Sequence, residues 1–90
     1  MKVEEGLINQ YISELRSLAV KIECGEDVYK DIDKCVIKIC DHFSILKGSD
    51  PNDNLKSLKG RLKIILDTYA KPSKMYEALK YTLLKFPESI

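Results

Sequence analysis

The residues best equipped for chemistry in this 90-residue chain are its only histidine, His42, and its three cysteines, Cys24, Cys35 and Cys40. A metal site built from them would need ligands within about one helical turn of one another. Cys35 lies seven residues before His42, two turns or roughly 10 Å along a helix axis, and Cys40 points about 160° away from the ring. One helix therefore offers no metal-ligating set, and no metal or cofactor is expected. General-base work by His42 would need a nucleophile and an orienting carboxylate. Asp41 is its neighbour in sequence and so sits on another face, which leaves His42 as a residue at the edge of an apolar arc. The cysteines are odd in number and form no Cys-x-x-Cys pair, so they read as free thiols of a reducing compartment. Cys35 falls in a packing position. Cys24 lies at a helix end among Glu23, Glu26 and Asp27, whose negative charge disfavours the thiolate form.

The string from His42 to Gly48 resembles the phosphoacceptor helix of histidine phosphotransfer domains, which are also four-helix bundles and place Lys-Gly three and four residues after the His. Here Lys47 and Gly48 come five and six after it. The lysine leaves the histidine face and the glycine falls at the helix end, so phosphotransfer is not expected. All-helical chorismate mutases show that a chain of this length can be an enzyme, but their dianionic substrate requires several inward-pointing cations. The two arginines here, Arg16 and Arg61, fall outside the apolar arcs. The expectation is a protein that is not an enzyme.

The elements that carry these residues follow from periodicity. Apolar positions recur at three- and four-residue steps almost throughout, and strict alternation never lasts, which predicts an all-α protein. Ile8, Tyr11, Leu15, Leu18 and Ile22 predict a first helix over 3–24, stopped by Gly25. Val28, Ile32, Cys35, Val36, Ile39, Phe43 and Leu46 predict a second over 27–47, opened by Glu26 and Asp27 and closed by Lys47-Gly48. Asp50-Pro51 is a cap followed by a residue whose missing N–H costs nothing at a first helical position. It starts a third helix over 51–70, with Leu55, Leu58, Leu62, Ile65, Leu66 and Tyr69 on one stripe. Ser73 caps a fourth over 73–86, bearing Met75, Tyr76, Leu79, Leu83 and Phe86. The expected architecture is a small antiparallel four-helix bundle in one domain, 1–90. The alternative is a three-helix bundle whose last helix is kinked at Pro72.

Composition excludes several functions. Four Gly, three Pro and 32% charged residues suit amphipathic helices rather than a disordered or many-turned β chain. No apolar run is long enough to span a bilayer and no signal peptide is legible at the start, so a cytoplasmic location is expected. Net charge is +1, but residues 1–45 balance at −3 and residues 46–90 at +4. The simplest reading is an acidic half packed on a basic half. The basic half also holds Lys56, Lys59 and Lys63, within about 60° of one another on a helix and flanked by Arg61. Such a ridge would contact about three phosphates, enough for weak nucleic-acid binding only.

Other residues break their own helix pattern. Tyr81 and Leu84 project about 140–160° from the Leu79 core direction, and Ile37 and Ile45 leave the core arc on either side of Asp41. Single exposed apolar residues need no explanation, but two pairs in so short a chain point to a second buried surface. The reading is a protein-interaction module, a homo-oligomer or the small subunit of a larger assembly, centred on Tyr81 and Leu84 with Ile37 and Ile45 beside them. The alternative is an accessory nucleic-acid-binding subunit using Lys56, Lys59, Arg61 and Lys63.

Overall fold

The computed structural model describes residues 3–90. They form four helices and no strand element: α1 (Glu5–Glu23), α2 (Tyr29–Ile45), α3 (Pro51–Leu66) and α4 (Lys74–Lys85). The link over 67–73 separates α3 from α4, so Pro72 lies in a helical hairpin and not in a kinked helix. The caps explain where the helices stop. Gly25, at φ +98°, takes the left-handed conformation that a side chain disfavours. Its N–H bonds Ile22 O, and the Glu26 N–H bonds Lys21 O. This is the paired closure of a Schellman turn. It draws residues 24–28 into the linker, so α2 begins at Tyr29, and Glu26 and Asp27 do not cap it. Asp50 Oδ1 accepts the Asn52 and Asp53 N–H groups at 2.8 and 3.3 Å ahead of Pro51. Ser73 Oγ accepts the Tyr76 N–H at 3.1 Å. At the end of α3 the Thr68 N–H and hydroxyl both turn back to Ile65 O, and the helix closes at Leu66 rather than at residue 70.

Contacts between named residues give the directions. Tyr11 meets His42 and Glu14 meets Lys38, so α1 and α2 run antiparallel. Lys59 reaches Pro87 O and Asn52 reaches the Ile90 N–H, so α3 and α4 do the same. Between the two hairpins, Asn54 and Arg61 of α3 meet Glu4 and Asn9 in the same order, and Tyr29 and Asp33 of α2 meet Tyr81 and Lys85 in the same order. All six helix pairs touch, and α1 with α4 makes the most extensive contact. Ala19 on α1 and Ala78 on α4 are fully buried and their small side chains suit a close helix approach. The interior is one cluster in which Ile8, Leu15, Ile32, Ile39, Phe43, Leu58, Leu62 and Leu79 have no exposure.

Among the described residues the polar side chains of Ser49, Asn54 and Thr82 are buried with that cluster, and periodicity gives no sign of the role of Asn54. Asn54 is fully buried. Its Oδ1 accepts the Glu4 N–H at 2.9 Å and its Nδ2 donates to Ser49 Oγ at 2.9 Å. A single amide thus ties the start of α1 to the α2–α3 loop and the first turn of α3. The bond to Ser49 is buried and the one from Glu4 partly so, so removing the amide leaves a partly buried backbone donor without its partner. Asn54→Ala is expected to lower stability by about 1–3 kcal/mol in chemical denaturation. Asn52→Ala, two residues away and exposed, is expected to cost less than about 0.5 kcal/mol.

Candidate functional site

The side chains that break the helix pattern meet along the seam between α2 and α4. Tyr81 does not project free, as its angle from Leu79 implied. Its hydroxyl donates to Asp33 Oδ1 at 2.7 Å, and its ring lies edge-to-face on Tyr29 with centroids 4.8 Å apart. The reason is that α4 is flanked by other helices on more than one side, so its contact arc is wider than the stripe through Leu79. Lys85 Nζ lies 5.3 Å from the Tyr81 ring centroid and 3.7 Å from Asp33 Oδ1. The hydrogen bond to the Asp33 carboxylate, with burial and the negative charge adding to it, pushes the Tyr81 phenol above its ordinary pKa. Tyr81 is therefore a half-buried strut between two helices.

The aliphatic members remain outside. Leu84 and Ile45 are each 75% exposed and Ile37 is 61% exposed. Ile37 lines a shallow groove with Asp33, Val36 and Lys85, which sets it beside Tyr81. Leu84 follows about 60° round α4 from Tyr81 on its outer side. Ile45 lies two turns beyond Ile37 and about 80° further from the Asp33 side of α2, so it stands apart from the seam. The seam brings together Ile37, Asp33, Tyr81 and Lys85, bordered by Leu84. Periodicity did not single out two further exposed aliphatics, Ile64 on α3 and Val20 on α1. For Ile64 the sequence signal is the run Ile64-Ile65-Leu66, since three consecutive residues cannot share one face of a helix.

The cationic ridge on α3 is partly spent within the fold. Arg61 pairs with Glu5 at 2.9 Å and also bonds Asn9. Lys59 Nζ donates to Pro87 O at 3.2 Å. Lys56 shares a groove with Asp53 and Glu88 as well as Lys59, so carboxylates border the ridge. Lys56 and Lys63 are exposed and are the two of the four that make neither an ion pair nor a side-chain hydrogen bond among the described residues.

The chemically equipped residues gather elsewhere, on the α1/α2 seam. Tyr11 OH lies 2.5 Å from His42 Nδ1, Lys38 Nζ lies 5.6 Å from the Tyr11 ring and 3.1 Å from Glu14 Oε2, and the Cys35 thiol donates to the same Glu14 oxygen at 3.7 Å. An open groove of about 430 Å³ runs beside them, lined by Glu14, Leu18, Lys34, Cys35 and Lys38 among others. Burial first, then the Glu14 charge, push the Cys35 thiol up to about 11. Cys40 is raised too, by burial and then Asp41. At neutral pH Cys35 is a protonated packing group, unsuited to act as a nucleophile. Cys24 is the exposed thiol of the three. Among the described residues no three His, Cys, Asp or Glu side chains are placed to hold a metal ion, and no helix is long and apolar enough to cross a membrane.

The chain matches no protein-family model, no curated protein and no solved structure.

The raised thiol has a consequence for stability. In the unfolded chain Cys35 ionises near its ordinary 9.0, whereas in the fold it holds its proton to about 11. Its contribution is complete below pH 9 and is lost as pH rises through that window. Tyr11, raised chiefly by burial, acts in the same direction. Denaturation midpoints measured from pH 8 to 11 are expected to fall, and Cys35→Ala is expected to flatten part of that slope whatever its effect at pH 8.

Proposed function

We propose that this protein is a non-catalytic helical interaction module that buries its α2/α4 face against another protein surface, in a homo-oligomer or as the small subunit of a larger assembly. The observation that carries the reading is the exposure of Ile37 and Leu84 beside a seam that already holds Tyr81 half-buried. A core with complete internal packing has no use for these two side chains, and they border polar groups in the manner of an interface centre with a charged rim.

Magnitudes set the strength. Burying an isoleucine or leucine contributes about 1.5–3 kcal/mol, and association costs about 4–15 kcal/mol. Ile37 and Leu84 alone do not hold two molecules together. The apolar part of Tyr81 and matching side chains from the partner bring the sum to the lower part of that range. The interface is then of modest affinity and its apolar anchors are the sensitive positions.

The test compares the parent chain with Ile37→Ser/Leu84→Ser by sedimentation equilibrium and by co-purification from the native source. Helicity is expected to be unchanged, because neither side chain is in the core. Self-association, or retention of the natural partner, is expected to be lost. A parent that stays monomeric at high concentration, with the same proteins retained by parent and variant, overturns the reading.

A further inference from the structure

We draw no further inference here: the strongest candidate, the open groove on the α1/α2 seam lined by Glu14, Leu18, Lys34, Cys35 and Lys38 among others, has its Glu14 carboxylate already taken by Lys38 and the Cys35 thiol, and nothing in the structure shows what fills it.

Discussion

Neither helical hairpin can hide its own apolar stripe, and the whole arrangement depends on that constraint. The α1/α2 hairpin carries Ile8, Leu15, Ala19, Ile32, Ile39 and Phe43, all without exposure, and two helices cannot enclose so many side chains between them. The α3/α4 hairpin supplies Leu58, Leu62, Ala78 and Leu79, also without exposure. A small domain buries a modest share of its surface, so each of the four stripes is needed to cover the others. This is why all six helix pairs touch and why twelve-residue α4, too short to persist as an isolated helix, is ordered by its neighbours.

Polar groups set how the two hairpins align. Asn54 holds the start of α1 against the start of α3, and its burial makes those hydrogen bonds costly to lose. The ion pairs are outside and individually weak, but two of them cross between the unlike-charged halves of the chain. Arg61–Glu5 and Lys85–Asp33 each join a base of the second half to an acid of the first. Arg61 of the cationic ridge and Glu5 of the acidic first half are therefore two sides of the α1/α3 seam. The same seam logic draws Tyr81 inward: a long phenol on the flank of α4 finds Asp33 on α2, while the shorter Leu84 on the outer side finds no polar anchor and remains exposed.

Local sequence was sufficient for the punctuation and the stripes. Gly25, the Asp50-Pro51 cap and Ser73 act through their own backbone or the next few residues, so their effect can be read without knowing the fold. The inward stripes follow from a helical repeat that the backbone geometry imposes on any chain. The finer helix ends were less legible, because the Schellman turn consumes the Glu26 N–H and so shortens the start of α2 by a bond between residues five apart.

The tertiary structure alone decided which side chains off the stripe meet a partner. Tyr81 and Leu84 deviate from the same core direction, yet one is half-buried against Asp33 and Tyr29 and the other is exposed. Lys59 and Arg61 look like Lys56 and Lys63 in sequence, yet the first two are bonded to Pro87 O and to Glu5. Ile37 and Ile45 flank Asp41 alike, yet only Ile37 lies beside α4. The repeat of a helix states where a side chain points relative to its own axis. What lies in that direction depends on how a neighbouring helix, distant in sequence, is placed, and no local propensity encodes it.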